Sequence, residues 1–123
     1  GRILLVRQFR LPANRKMWEI PAGRLDEGET PLAAAKRELR EETGFRARRW
    51  RRLISFYPSP GFLSEKMHVY VATELTHGEA APMDDERIET RWFTPRELED
   101  MIRSGRIQDG KTIAAFLAWQ KWG

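Results

Sequence analysis

Cysteine is absent from the 123-residue sequence. Disulfide bridges, zinc-thiolate sites and cysteine nucleophiles are therefore excluded, and the sequence fits a reducing, cytoplasmic location. Histidine occurs only as His68 and His77, and two isolated imidazoles make a poor metal site. The longest apolar run near the start, Ile3–Val6, is too short for a membrane span or for the core of a signal peptide. We therefore expect neither a membrane partner nor a histidine-ligated metal.

The composition is that of a folded domain, with 41% hydrophobic, 11% aromatic and 33% charged residues. A chain of this length forms one domain, and neither a repeat nor a linker divides it. We therefore predict a single domain over residues 1–123. Because Gly1 leads directly into a strand-like run, we also expect that N-terminal residues are missing from this chain.

The net charge of +4 is typical of a solvated basic surface, and also of proteins that bind phosphorylated small molecules or nucleic acid. Five arginines lie around Trp50, namely Arg46, Arg48, Arg49, Arg51 and Arg52. Arginines in this arrangement are typical of a solvent-facing edge strand. We therefore do not expect nucleic acid as a partner.

Strand and helix patterns alternate along the chain. Apolar and β-branched runs predict five strands, over Arg2–Arg7, Trp18–Ile20, Trp50–Tyr57, Lys66–Leu75 and Ile88–Phe93. Helix-forming residues predict three helices, over Pro31–Thr43, Pro95–Ser104 and Lys111–Lys121. Thr-Pro pairs mark where the first two begin, and Gly44 marks where the first ends. The intervening segments are predicted loops, over Leu11–Lys16, Ala22–Glu29 and Thr76–Glu86. This order predicts an α/β fold, with a mixed sheet and helices on both of its faces.

The first predicted helix carries three glutamates, Glu38, Glu41 and Glu42. Residues three and four apart share one helical face, so Glu38 and Glu42 stack one turn apart with Glu41 beside them. Carboxylates this close repel each other unless a positive charge lies between them. A magnesium ion, which prefers oxygen ligands, supplies such a charge. An amphipathic helix with an ordinary charged outer face is the alternative.

The stretch from Gly23 to Phe45 resembles the Nudix box at every defined position. The matching residues are Gly23, Glu29, Arg37, Glu38, Leu39, Glu41, Glu42, Gly44 and Phe45. The resemblance implies the Nudix α/β/α sandwich with a mixed sheet, in which the box forms a loop, a helix and a loop. It also implies an enzyme that needs Mg²⁺, with Mn²⁺ as an alternative ion. A Nudix fold that has lost catalysis is the remaining alternative.

The resemblance also implies roles for individual residues. The core metal ligands would be the side chains of Glu38 and Glu42, with the backbone carbonyl of Ala22 as a further ligand, and Glu41 would join when a second or third metal binds. Gly23 would let the chain approach the metal closely. Glu29 would brace the loop, and Arg37 would orient Glu41 for catalysis.

The flanking residues resemble the ADP-ribose pyrophosphatase branch of that family. The motifs are Arg7–Arg10, Trp18–Gly23, Ser59–Phe62 with Glu65, Asp85–Glu89 and Ile107–Thr112. The resemblance implies a small-molecule nucleoside diphosphate substrate, with ADP-ribose cleaved to AMP and ribose 5-phosphate. The implied substrate-binding residues are Arg10, Glu19, Gly61 and Glu65, with Arg10 as a charge-assisted donor to a phosphate.

The general base is predicted to be Glu86, in the acidic stretch before the strand at Ile88. The alternative candidates for the general base are Asp84, Asp85 and Glu89. Members of this branch usually begin with additional strands that often swap between the subunits of a homodimer. Because this chain lacks them, the resemblance does not decide whether the chain forms the nucleobase pocket and the homodimer.

Several alternatives to ADP-ribose hydrolysis stay open as well. Within enzymes they are hydrolysis of other nucleoside diphosphate sugars, dinucleoside polyphosphates or oxidised nucleotides. The isomerase that shares the Nudix fold depends on an active-site cysteine, so the absence of cysteine argues against it. From another functional class, the alternative is a non-catalytic Nudix-like sensor that binds ADP-ribose or nucleic acid.

Overall fold

The structure, a computed structural model, describes residues 1–23, 25–78 and 88–123. Within these ranges the chain forms five strands and three helices. In chain order they are β1 (Ile3–Arg10), β2 (Arg15–Glu19), α1 (Pro31–Thr43), β3 (Phe45–Phe56), β4 (Met67–His77), β5 (Glu89–Phe93), α2 (Pro95–Arg103) and α3 (Gly110–Trp122). The predicted α/β class is confirmed.

The strands are hydrogen-bonded in two groups. β1 lies between β2 and β5 in a three-stranded sheet, and β3 pairs with β4 in a second sheet. All of these pairs, within the described ranges, are antiparallel. A tight turn joins β1 to β2, in which Asn14 donates its N–H to the carbonyl of Leu11 at 3.0 Å. So short a connection permits only an antiparallel neighbour.

The hydrophobic core lies where the three-stranded sheet meets α2 and α3. Its buried side chains are Leu5 and Phe93 from the sheet, Leu98 from α2, Ile107 and Phe116. Burial of an aliphatic or aromatic side chain of this size contributes about 1.5–3 kcal/mol. Helix α1 instead contacts β3 and β4, and α3 also reaches β3. In the described part of the chain, no helix has the length and apolar character that a membrane crossing requires.

The largest difference from the predicted elements concerns β3, which begins at Phe45 rather than at Trp50. β3 and β4 form a ladder whose outer pairs join Phe45 to His77 and Arg46 to Thr76. The ladder extends both strands beyond their apolar patterns, because backbone hydrogen bonds do not depend on side-chain polarity. All five arginines around Trp50 are exposed on β3, as expected of a solvent-facing strand.

Candidate active site

Helix α1, which carries Glu38, Glu41 and Glu42, is capped at both of its ends. The side chain of Thr30 accepts a hydrogen bond from the N–H of Ala33 at 3.2 Å, and Pro31 begins the helix. At the other end Gly44 adopts φ 78°, in the left-handed region that favours glycine. Its N–H donates to the carbonyl of Arg40 at 2.8 Å.

Arg37 forms ion pairs with acidic side chains of α1 and of the loop before it. Its guanidinium forms a two-point pair with Glu29 at 2.8 and 3.0 Å, and Nη1 also donates to Glu38 at 2.6 Å and to Glu41 at 3.0 Å. The hydrogen bonds from Arg37 and from the N–H of Asp26 hold the pKa of the Glu29 carboxyl below its usual range. The expected contact between Arg37 and Glu41 is therefore present, and Glu29 joins the loop to the helix. Arg37 therefore hydrogen-bonds three glutamates rather than Glu41 alone, and its Nε also lies 3.4 Å from Oδ2 of Asp26.

Glu38 packs directly against the backbone of Gly23. A Cβ placed on Gly23 would lie 2.0 Å from Cδ of Glu38, a separation that atoms cannot adopt without displacement. A side chain at position 23 would displace the carboxylate of Glu38 from the loop, so glycine permits this close approach. The resemblance assigned this glycine to the approach of a metal, and the structure adds the approach of Glu38.

Glu42 reaches the same loop one residue earlier. Its carboxylate accepts a hydrogen bond from the N–H of Ala22 at 3.0 Å. Burial, followed by the negative charge of Glu38, raises the pKa of Glu42 to about 8. Arg10 and Glu19 also lie close enough to act on this pKa, in opposite directions. The loop at Ala22–Gly23 thus holds two carboxylates that repel each other.

This donor set fits a hard divalent cation. Carboxylate and carbonyl oxygens are its preferred ligands, and a cation would offset the burial and the repulsion by Glu38 that together raise the pKa of Glu42. The fit rests on Glu38 and Glu42, because both carboxylates reach the Ala22–Gly23 backbone, whereas the side chain of Glu41 is 41% exposed. In the part of the chain that the structure describes, no three acidic or histidine side chains are grouped closely enough to hold a metal ion. The structure thus brings Glu38 and Glu42 to this loop, and the role predicted for Glu41 when a further metal binds stays a prediction.

Two of the predicted substrate-binding residues, Arg10 and Glu19, form a pair. Nε and Nη2 of Arg10 donate to the two carboxylate oxygens of Glu19 at 2.6 and 2.7 Å. Glu19 is only 2% exposed, and a charged partner offsets the cost of removing such a carboxylate from water. The Arg10 side chain is 42% exposed, so one edge of its guanidinium faces solvent.

The start of α3 completes this polar cluster, which the sequence did not predict. Nζ of Lys111 lies 3.6 Å from Oε1 of Glu19 and 3.0 Å from Oδ1 of Asp109. Asp109 also caps α3 by accepting from the N–H and the hydroxyl of Thr112, at 3.1 and 2.7 Å. Oγ1 of Thr112 in turn accepts from the N–H of Ile20 at 2.9 Å. The available signal was the motif Ile107–Thr112, which marks the family branch but does not by itself indicate a role.

The remaining predicted residues are Gly61 and Glu65, in the loop that joins β3 to β4, and Glu86. Glu65 lines a cavity of about 840 Å³ that Ala22, Gly23 and Glu38 also line. Gly61 is exposed, and a Cβ there would meet no atom within 4 Å, so no steric requirement explains glycine at this position. Glu86, the predicted base, lies outside the described residues.

Among the rivals to Glu86, Asp84 and Asp85 also lie outside the described residues. Glu89 is described and pairs with Arg7 at 2.5 Å and with Lys16 at 3.5 Å. The hydrogen bond from Arg7 holds the pKa of Glu89 below its usual range. A base that acts near neutral pH needs the opposite shift, so Glu89 is poorly suited to that role.

Comparison with known proteins identifies this arrangement. Residues 1–116 match the family model described as the NUDIX domain. The chain belongs to the Nudix family. Over 117 residues this Nudix chain is 42% identical to an ADP-ribose pyrophosphatase of Bacillus subtilis and 44% identical to a methanol dehydrogenase activator of Bacillus methanolicus. Each alignment covers 94% of the chain and 63% of the relative, so the chain spans less than two thirds of these proteins.

A solved structure of the same architecture supports the fold. The crystal structure of an ADP compounds hydrolase superposes with a TM-score of 0.88 at 23% identity. The superposition covers 98% of this Nudix chain and 65% of the other. The Nudix resemblance and the Nudix fold predicted from the sequence are confirmed.

Proposed function

We propose that this Nudix domain hydrolyses the pyrophosphate linkage of a nucleoside diphosphate derivative, with ADP-ribose as the first substrate and AMP and ribose 5-phosphate as products. The observation that carries the proposal is the pair of carboxylates, Glu38 and Glu42, held at the Ala22–Gly23 backbone. The 42% identity to an ADP-ribose pyrophosphatase over 94% of the chain supports the substrate.

The cation in this proposal is Mg²⁺, with Mn²⁺ as an alternative, held by Glu38, Glu42 and the carbonyl of Ala22, with Glu41 joining them. When bound, a divalent cation neutralises phosphate charge and lowers the pKa of a coordinated water. Arg37 keeps Glu38 in place through its 2.6 Å hydrogen bond. Such restraint supports a metal site, because partners of the ligands fix their orientation.

The remaining roles belong to residues on both sides of this pair. Arg10 binds a phosphate oxygen through the edge of its guanidinium that faces solvent, since arginine matches phosphate geometry. Glu19 fixes the orientation of Arg10. Glu65, at the edge of the shared cavity, and Gly61 contact the rest of the substrate. Glu86 accepts the proton of the attacking water. A homodimer and a cytoplasmic location are further parts of the proposal.

The test is a panel of substrates with product identification, in Mg²⁺ and in chelator. We expect ADP-ribose to be cleaved with a higher kcat/KM than GDP-mannose, diadenosine polyphosphates or oxidised dGTP, and chelator to stop the reaction. Comparison of kcat/KM is the appropriate measure of preference. A preference for another of these compounds would contradict the choice of ADP-ribose as the substrate. The proposal that the domain is a Nudix hydrolase would still hold.

Glu42→Gln supplies the control for the metal site in the same panel. Loss of a carboxylate ligand should lower the rate by about a hundredfold or more. Glu99→Gln, an equivalent change at an exposed position of α2, should leave it unchanged. Wild-type rates for Glu42→Gln at saturating Mg²⁺ would contradict the assignment of the carboxylate pair.

A second candidate function follows from the 44% identity to a methanol dehydrogenase activator. In that case the domain would act on or through another enzyme. Failure to form any phosphate-containing product with Mg²⁺, across the whole panel, would favour this function or a non-catalytic sensor of ADP-ribose.

A further inference from the structure

The buried carboxylate of Glu19 has two cations near it at unequal distances. Arg10 makes both short hydrogen bonds, at 2.6 and 2.7 Å. Nζ of Lys111 lies 3.6 Å from Oε1, which is within the range of an ion pair and beyond that of a good hydrogen bond. Glu19 therefore has one close and one more distant counter-ion.

Substrate binding changes the balance between these cations. If Arg10 donates to a phosphate through its remaining N–H groups, as in the proposed function, the phosphate competes with Glu19 for the positive charge of Arg10. The carboxylate of Glu19, which is 2% exposed, would then lie beside a second negative group while it shares one cation with that group. Weakening of a buried ion pair is unfavourable, because the buried charge is left less well compensated.

We propose that Lys111 is a positioning residue that moves toward Glu19 as its second counter-ion when the pyrophosphate engages Arg10. The proposal rests on the proposed function. Lysine suits this task because its ammonium carries three donors on a flexible stem. A charge-assisted hydrogen bond is about 2.7–2.9 Å long, so Nζ of Lys111 needs to move by less than about 1 Å toward Glu19.

The start of α3 keeps Lys111 within reach of Glu19. Asp109 accepts from the ammonium of Lys111 at 3.0 Å, and its second oxygen is held by the backbone and hydroxyl of Thr112. Thr112 is tied to Ile20, the residue after Glu19, at 2.9 Å. The hydrogen bond between Ile20 and Thr112 thus joins the end of β2 to the start of α3 directly beside the carboxylate.

Two other roles for Lys111 make different predictions. If Lys111 bound the phosphate directly, its contribution would not depend on the charge of Glu19. If Lys111 only stabilised α3, its loss would lower the melting temperature and leave affinity for the substrate unchanged. The proposed role requires coupling between Lys111 and Glu19 that is seen only when Arg10 is engaged by the ligand.

A double-mutant cycle tests this coupling. The affinity for ADP-ribose is measured by calorimetry in chelator, where turnover is stopped, for wild type, Lys111→Met, Glu19→Gln and the double variant. We expect Lys111→Met to weaken binding roughly tenfold when Glu19 is present and by less than about twofold in the Glu19→Gln background, a coupling typical of residues in contact. In Mg²⁺ the same variant should raise KM by a similar factor with little change in kcat.

Several controls accompany the cycle. Lys121→Met removes an exposed lysine from the same helix and should bind as the wild type does. Lys111→Arg should restore most of the affinity, because it returns the positive charge. If thermal melting shows that Lys111→Met does not fold, Lys111→Gln, which keeps a donor for Asp109, replaces it in the cycle.

The outcomes separate the proposal from its premise. If Lys111→Met weakens the affinity for ADP-ribose equally in both backgrounds, Lys111 binds the phosphate directly. If the affinity is unchanged and the melting temperature falls, Lys111 only stabilises α3. Either result overturns the proposal. If the wild type binds ADP-ribose but does not cleave it in Mg²⁺, the proposed function fails while the cycle still decides the role of Lys111. If the wild type does not bind ADP-ribose, both fail.

Discussion

The two arginines at this site are held by acids that are themselves well fixed. Arg37 is joined to Glu29 by two hydrogen bonds, and Arg10 is joined to the buried Glu19 in the same way. Two-point pairs of this kind restrict both side chains to one orientation. The site therefore presents its charges in a fixed arrangement before a substrate arrives, which reduces the cost of ordering them on binding.

Glu86 is the residue whose substitution tests the proposed proton transfer. We expect Glu86→Gln to lower kcat by about a hundred- to ten-thousand-fold with KM little changed, as for loss of a general base. The acidic limb of the pH–rate profile should also flatten, because the group that titrates there is gone. Steady-state kinetics across pH provide the measurement.

The neighbouring acids serve as matched controls for Glu86. Asp84→Asn, Asp85→Asn and Glu89→Gln remove the same charge within a few positions. Glu89 is already bound by Arg7 and Lys16, so its loss should act on stability more than on kcat. A large fall in kcat for one of these three, without one for Glu86→Gln, would move the base to that residue.

At the scale of elements, the contact between the loop and α1 depends on Gly23. A methyl group there would lie 2.0 Å from Cδ of Glu38. The atom that must move is at the end of a flexible side chain, so Gly23→Ala should change the free energy of unfolding by about 1 kcal/mol or less. It should lower kcat by about a hundredfold, since an error of about 1 Å in position can have that effect.

The measurement for Gly23→Ala combines chemical denaturation with steady-state kinetics. Gly110→Ala adds a methyl group where no atom lies within 4 Å, and it should leave both quantities close to those of the wild type. A large loss of stability for Gly23→Ala would show that the backbone, rather than the Glu38 side chain, sets the requirement for glycine.

For the whole molecule, the site links stability to pH and to divalent cations. The pKa of Glu42 rises from an ordinary value of 4.5 to about 8 on folding. Between these values the folded protein binds more protons than the unfolded chain does, so the contribution of Glu42 to stability falls as pH rises through this window. In chelator, the melting temperature of the wild type should therefore fall relative to that of Glu42→Gln between pH 5 and pH 8.

Mg²⁺ should raise the melting temperature, whereas a rise in pH in chelator should lower it. A ligand that binds only the folded state at a hundred times its Kd adds about 2.7 kcal/mol, or on the order of 10 °C in melting temperature. We expect this rise for the wild type and a smaller one for Glu42→Gln, measured by differential scanning calorimetry at pH 8. Equal rises in the two proteins would place the stabilising cation away from Glu42.

The sequence alone determined the features that depend on local spacing. The Thr-Pro pairs and Gly44 correctly predicted where α1 and α2 begin and where α1 ends, since caps and glycine act within one helical turn. The match from Gly23 to Phe45 predicted the family, because its residues have fixed positions along a loop and a helix. The contact between Arg37 and Glu41 followed from their separation of one helical turn.

Only the tertiary structure decided the features that join distant parts of the chain. It brings Lys111 to Glu19 across most of the sequence, and it buries Glu42 enough to raise its pKa. It also extends β3 to Phe45 by pairing this residue with His77. These three features depend on which surfaces pack together. Packing combines many weak contacts between residues that are far apart in the sequence, and the spacing of such residues follows no periodic pattern.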